Sequence, residues 1–214
     1  MADTIVAPAT APVTSAIGVI RLSGPNAAKI AEKVFFSFSG EKFTGLPVRT
    51  AVYGELKGER VIDRCVAVFF AAPKSYTGED TVEFSLHGGG GVMRAAMQLF
   101  IDKGARAAEA GEFTRRAFVN GKLTLFEAEA VADLIEAQSP EAAANAAGQL
   151  SGVLGARFET FYSRLLDITS TFTASIDYVA EGIDPPDLNA SAAELETLAS
   201  GLGDLADSFY KGRL

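Results

Sequence analysis

Two hydrophobic periodicities divide the chain. Over residues 1–121, short runs rich in Val, Ile and Phe alternate apolar with polar positions and are interrupted by Gly and Pro. Thr4–Ala9, Ala16–Leu22, Thr50–Leu56, Val61–Ala71 and Thr81–His87 are therefore predicted as strands. Pro25–Phe36 is predicted as a helix with Pro in its first turn, and Val92–Lys103 as a second that Gly104 stops. Ala105–Glu109 suits one more short strand. Residues 1–121 thus make an α+β domain.

From Leu123 the period becomes helical. Leu150, Leu154, Phe158, Phe161, Leu165, Ile168, Phe172 and Ile176 follow at steps of three and four, one apolar stripe along a helix. Leu195, Leu198, Leu202, Leu205 and Phe209 repeat the pattern. Between the two stripes, Gly182–Asp187 contains Pro185 and Pro186, which lack donors and restrict the residue before them. Helices are predicted at about 124–138, 140–180 and 191–211, packed as a bundle over residues 122–214. Ala-rich Pro140–Gly148 suits close helix packing rather than chemistry.

Charge separates the same two regions. Residues 1–121 hold 14 Lys/Arg and 12 Asp/Glu, a net of +2, and residues 122–214 hold 5 and 15, a net of −10, which together give −8. Phosphate contacts dominate nucleic-acid affinity, so any RNA surface of this chain belongs on its first half. The acidic half reads equally as a solubilising face or a docking face. One cysteine, Cys65, excludes a disulfide framework and suits a reducing compartment. Its place in the apolar run Val61–Phe70 marks a packed strand residue rather than a nucleophile. No apolar run approaches the roughly 20 residues that span a bilayer, and no signal peptide is recognisable. A cytoplasmic protein with no membrane or DNA partner is expected.

The densest chemistry lies in Gly111-Glu112-Phe113-Thr114-Arg115-Arg116-Ala117-Phe118-Val119-Asn120-Gly121-Lys122-Leu123. Apolar anchors with charges between them, ending in a Lys at a turn, read as one wall of a ligand site. An amphipathic helix stopped at Asn120-Gly121 explains the same residues. His87, the only His, ends a strand and precedes four glycines. Those glycines either open a helix N-terminus to an anion or permit tight strand-to-helix packing. Their spacing fails the dinucleotide fingerprint at Met93. One His, one Cys and no clustered ligands exclude a zinc site, and no Ser-His-Asp arrangement is legible. Glu79-Asp80 and Glu127 with Glu129 suit a turn and a solvated helix face better than an acid/base dyad. By alternation Arg21 and Glu83 face water, and Lys122 is a solvated charge at a turn.

The same segment resembles the GEFT-(K/R)-RAF-x-NGKLDL signature of the MnmE/TrmE family. Four more segments agree in order: Asp3–Ala7, Ile17–Pro25, Ser75–Asp80 running on to His87-Gly88-Gly89, and Glu127–Ile135. The resemblance implies a tetrahydrofolate-binding-like domain of mixed sheet that dimerises, followed by a helical domain. It also implies a GTPase, a hydrolase acting on tRNA, that modifies carbon 5 of the wobble uridine (U34) with an FAD-dependent GidA/MnmG-type partner. 5-Formyltetrahydrofolate would supply the one-carbon unit. The family's folate contacts fall on Arg21, Glu83 and Lys122, with Tyr76 and His87 as further candidates. A carboxylate such as Glu83 can accept two parallel bonds from the pterin N3–H and 2-amino edge. Arg21 and Lys122 are left to meet the formyl oxygen or the glutamate tail.

The chain departs from the family in four places. Ala11–Ser15 replaces P-P-G-R-G, Glu109-Ala110 replaces Arg-Pro, Thr124 replaces the Asp of NGKLDL, and Asp177–Glu181 alters D-F-P-E/D-E. No GxxxxGK(S/T) string occurs. The expectation is an N-terminal fragment whose GTP, Mg2+ and K+ belong to an absent G domain. Two alternatives stay open: a dimerisation module with a decayed folate site, and a stand-alone folate-dependent aminomethyltransferase.

Overall fold

The computed structural model describes residues 3–177 and 186–211. They divide into two compact units, Met1–Glu136 and Ala137–Leu214. The first contains β1 (Ile5–Pro8), β2 (Ile17–Ser23), β3 (Phe35–Ser37), β4 (Val52–Lys57), β5 (Val61–Phe70), β6 (Thr81–His87) and β7 (Arg106–Ala107). These form one mixed sheet in the order β3-β4-β5-β6-β2-β1-β7. Only the β1–β7 pairing is parallel among them.

Alternation decides the two faces. Ile20 and Leu22 on β2, Val82, Phe84 and Leu86 on β6, and Cys65 and Ala67 on β5 are buried. They pack with Ile30, Ala31 and Val34 of α1 (Ala27–Val34) and with Ala96, Leu99 and Phe100 of α2 (Gly90–Asp102). Phe84 sits at the centre, its ring centroid 4.9 Å from Phe100 and 5.8 Å from Phe35. Each such side chain contributes about 1.5–3 kcal/mol through burial. Val19, Arg21, Glu83, Ser85 and His87 occupy the intervening positions, on the face turned away from α1 and α2.

The helix expected over Pro25–Phe36 is shorter than its pattern. Phe35 leaves it with extended backbone and begins β3, opposite Leu56. There its ring meets Phe43 and Phe84 edge-on, so tertiary packing overrides the helical period. After β7 come α3 (Glu112–Val119) and α4 (Leu125–Glu136). Of these, α4 contacts α3 and groups by contact with the first unit.

The second unit holds α5 (Pro140–Leu150), α6 (Val153–Asp177) and α7 (Leu188–Lys211). The fold is thus α+β followed by an all-α portion, as expected. One helix was expected across 140–180, but Gly152 takes φ +76° and separates α5 from α6. The stripe continues across this break, which conceals it in the sequence. No side chain of α6 is fully buried. On α7, Leu198 is buried and Gly201 lets the helix approach the Phe161 ring. α7 starts where Asp187 Oδ1 accepts from the N–H groups of Asn189 and Ala190. Most of the expected Gly182–Asp187 break, residues 182–185, lies outside the described residues, as do 178–181 of the altered Asp177–Glu181 segment. Among the described residues no helix is long and apolar enough to cross a membrane.

Candidate functional site

Pairing between β2 and β6 places Arg21 directly opposite Glu83. The guanidinium donates to Glu83 Oε1 at 2.7 Å, with both side chains about a quarter exposed. Two aromatic rings flank the pair: the Arg21 guanidinium carbon lies 5.2 Å from the Tyr76 centroid and 5.5 Å from that of Phe113. Arg21 thus neither faces bulk water nor sits unpaired. It lies, paired with Glu83, in an aromatic-walled patch on the open face of the sheet.

The Ser75–Asp80 loop holds Tyr76 there through a buried hydroxyl cluster. Thr77 is fully buried, its hydroxyl 2.7 Å from that of Ser23, which also donates to Glu79 Oε2 at 2.7 Å. Asp80 Oδ1 accepts from the N–H of Ala72, and the Asp80 carbonyl accepts from the N–H of Gly24. The Tyr76 hydroxyl meets Thr114 at 2.9 Å. Glu79 and Asp80 therefore shape a turn, as the sequence suggested.

A charge network fixes α3, which supplies Phe113 and Thr114. Glu112 is buried and accepts from Arg106 at 2.7 Å, Arg116 at 3.0 Å and the N–H of Glu109 at 2.8 Å. Arg106 foremost holds the Glu112 carboxyl down at about 2. Arg116 donates in addition to Glu79 and Asp3, at 3.1 Å and 2.5 Å. Arg106 and Arg116 together hold Asp3 down at about 2 as well.

At its other end α3 stops as the Asn-Gly signal requires. Gly121 adopts φ +67° and the N–H of Lys122 donates to the Ala117 carbonyl at 2.8 Å. This stop carries Asn120 and Lys122 onto the Tyr76 loop. Asn120 Nδ2 donates to the Thr77 carbonyl at 2.7 Å, and Lys122 packs beside Gly78. A Cβ on Gly78 would stand 3.1 Å from Lys122 Cγ, and Gly78 itself has φ +77°. The helix stop therefore also sets Asn120 and Lys122 against the Ser75–Asp80 loop.

Arg21, Glu83 and Tyr76 are brought together, and Lys122 joins the loop that carries Tyr76. His87 is not among them. It lies four residues beyond Glu83 on β6, roughly 13 Å along the strand. Its Nδ1 sits 2.7 Å from Asp63 Oδ1, and its backbone N–H donates to Asp63 Oδ2. Cys65 is buried, and burial foremost pushes its thiol up to about 12, which suits packing and not nucleophilic chemistry. Among the described residues no group of three or more His, Cys, Asp or Glu could hold a metal ion.

Two departures from the family pattern have local partners. Glu109, three residues before α3, pairs with Arg115 of that helix at 3.1 Å, which compensates the reversed charge. Thr124 caps α4: its hydroxyl accepts from the Glu127 N–H while Glu127 Oε2 accepts from the Thr124 N–H. Glu112, Thr114 and Arg116 were legible only as members of the Gly111–Leu123 segment, and the individual roles of Thr77 and Ser23 were not legible. Only the acidic residue opening α3, with Arg four positions on, hinted at the network.

An α+β domain with a ringed Arg–Glu pair on its open sheet face, joined in sequence to an all-α unit, is the arrangement to be placed. Residues 4–122 match the family model described as "GTP-binding protein TrmE N-terminus", and residues 125–214 match "MnmE helical domain". The chain belongs to the MnmE/TrmE family. It is 42% identical over 197 residues to the tRNA modification GTPase MnmE of Thermus thermophilus, covering 92% of this chain and 45% of that protein. It is 40% identical over 215 residues to MnmE of Syntrophotalea carbinolica and 37% over 213 residues to MnmE of Clostridioides difficile. Each of these two alignments covers 99% of this chain and 46% of the relative. The chain spans about half the length of the curated relatives it matches.

Proposed function

We propose that this chain supplies the folate-binding and self-associating part of a tRNA modification GTPase, with 5-formyltetrahydrofolate as one-carbon donor. The observation that carries this reading is the Arg21–Glu83 pair set between the Tyr76 and Phe113 rings. Its donor set fits a reduced folate. Glu83 offers an acceptor to the pterin amino edge, Arg21 a donor fork to carbonyl or carboxylate oxygens, and the rings a stacking surface. Lys122, held on the neighbouring loop, adds a cation for the glutamate tail. His87, paired with Asp63 farther along β6, is assigned no direct contact with the pterin.

In the whole protein, GTP, Mg2+ and K+ belong to a G domain outside residues 1–214. The product is tRNA modified at carbon 5 of U34, made in the cytoplasm with an FAD-binding GidA/MnmG-type partner. The relatives' printed names and the two family matches support the tRNA-modification role.

Isothermal titration with 5-formyltetrahydrofolate tests the site. Saturable binding to the folded chain, abolished by Arg21→Ala and weakened by Glu83→Gln, is expected. Binding unchanged by either substitution refutes it. A second reading has one observation in its favour, since Arg21 and Glu83 already satisfy each other. It makes the unit a dimerisation module with a decayed pocket, and predicts a dimer by light scattering with no heat at millimolar folate.

A further inference from the structure

A cavity of about 590 Å3 opens between the segment from Pro8 to Ser15 and α2, away from the Arg21 pair. It lies on the helix side of the sheet: a Cβ on Gly18 would stand 2.6 Å from the Met93 sulfur. Pro8, Val13, Met93, Met97 and Ile101 supply apolar walls, and among the described residues Arg94 is the only charged one lining it.

The loop wall is fixed in place. The N–H of Ala9 donates to the Val19 carbonyl at 2.7 Å, and Thr10 Oγ1 accepts from the N–H of Val19 at 3.1 Å. At the far end, the N–H of Ser15 donates to the Gly88 carbonyl at 3.2 Å and the N–H of Gly88 donates to the Ala16 carbonyl at 3.4 Å. The loop is thus anchored at both ends, and the cavity volume falls within the roughly 300–1,000 Å3 typical of small-molecule sites.

Arg94 indicates the ligand's charge. It is exposed and forms no ion pair or hydrogen bond among the described residues. Its guanidinium folds back over Gly90, with Nη1 3.3 Å from where a Cβ there would sit. Among the described residues no Asp or Glu lines the cavity to compete for it. The planar fork suits a carboxylate. Two methionine side chains adapt to irregular apolar shapes and make favourable contacts with aromatic rings.

We infer that this cavity binds a small aromatic carboxylate, its ring between Met93, Met97 and the Pro8–Ser15 wall and its carboxylate on Arg94. The inference does not depend on the folate reading, which uses the opposite face of the sheet.

Titration of the chain with 2-naphthoate, followed by backbone amide NMR shifts, tests it. Saturable one-to-one shifts are expected at Thr14, Gly88, Gly90 and Met97. Arg94→Gln removes a charge-assisted bond from an exposed position and should weaken binding about tenfold or more. The uncharged 2-naphthamide should bind wild type no better than naphthoate binds that variant. Arg21→Ala should leave the naphthoate titration unchanged while abolishing folate binding, so the two sites fail separately. Shifts centred on the exposed apolar residues of α6, or an Arg94→Gln affinity within about twofold of wild type, overturn the inference.

Discussion

Glu112→Gln would measure what holds α3 against the sheet. The carboxylate is 2% exposed and accepts from Arg106, Arg116 and the Glu109 N–H. Its pKa falls from 4.5 to about 2, chiefly because of Arg106, which corresponds to roughly 3 kcal/mol of stability at neutral pH. Arg106 is 44% exposed, so solvent screens part of that, and about 2 kcal/mol is the better expectation. The folded-state value is depressed, so the contribution is complete above about pH 4.5 and is lost as pH falls toward 2. Urea unfolding followed by the amide signals of β1 and β2 reads this directly. The variant should be less stable at pH 7, and the gap should narrow through the window from about 4.5 to about 2. Asp3 shares Arg106 and Arg116 with Glu112, so the comparison is made in an Asp3→Asn background, which removes its titration from both proteins. A gap of equal size at pH 7 and pH 2.5, or no gap at all, would refute the reasoning.

Other substitutions probe separate links. Gly78→Ala places a side chain at φ +77° against Lys122 and Asn120. A loss of about 1–2 kcal/mol in stability is expected, with weaker folate binding by titration; unchanged affinity would detach this loop from the site. Thr124→Ala removes the capping hydroxyl and should cost about 1 kcal/mol by the usual scale of N-caps, read as faster amide exchange at the start of α4. Cys65, buried with its thiol pushed up to about 12, should react with a thiol reagent only under denaturing conditions. Prompt native labelling would contradict its packing.

The strands were legible because their two faces differ in kind. Val82, Phe84 and Leu86 are buried while Glu83, Ser85 and His87 are not, and that contrast is already written in the residue types. β3 was hidden because Val34 and Phe35 both point into the core, which satisfies a helical period as well as a strand. The start of α6 was hidden because Leu150 and Leu154 keep their spacing across the Gly152 turn. At the site, Arg21 and Glu83 were separately identifiable through the family signature, but their contact needs β2 to pair with β6, 62 residues later. The buried carboxylate of Glu112 was illegible for a similar reason. Nothing local distinguishes it from a solvated first-turn acid until Arg106 and Arg116 converge on it.

Arg116 gives the domain a direction in time. It binds Asp3, 113 residues earlier in the chain, together with Glu79 and Glu112. During synthesis β1 emerges first and can pair with β2, but β7, which covers its other edge, comes a hundred residues later. Until then that edge is unprotected, and unpaired edges template wrong partners. The Arg116 clamp can close only once α3 is made, when it ties Asp3 to a helix that follows every strand. A ribosome-stalled chain ending before α3 would hold all seven strands and yet leave Tyr76 without Thr114, and Arg21 without Phe113. The patch is thereby completed only after the last strand of the sheet has emerged.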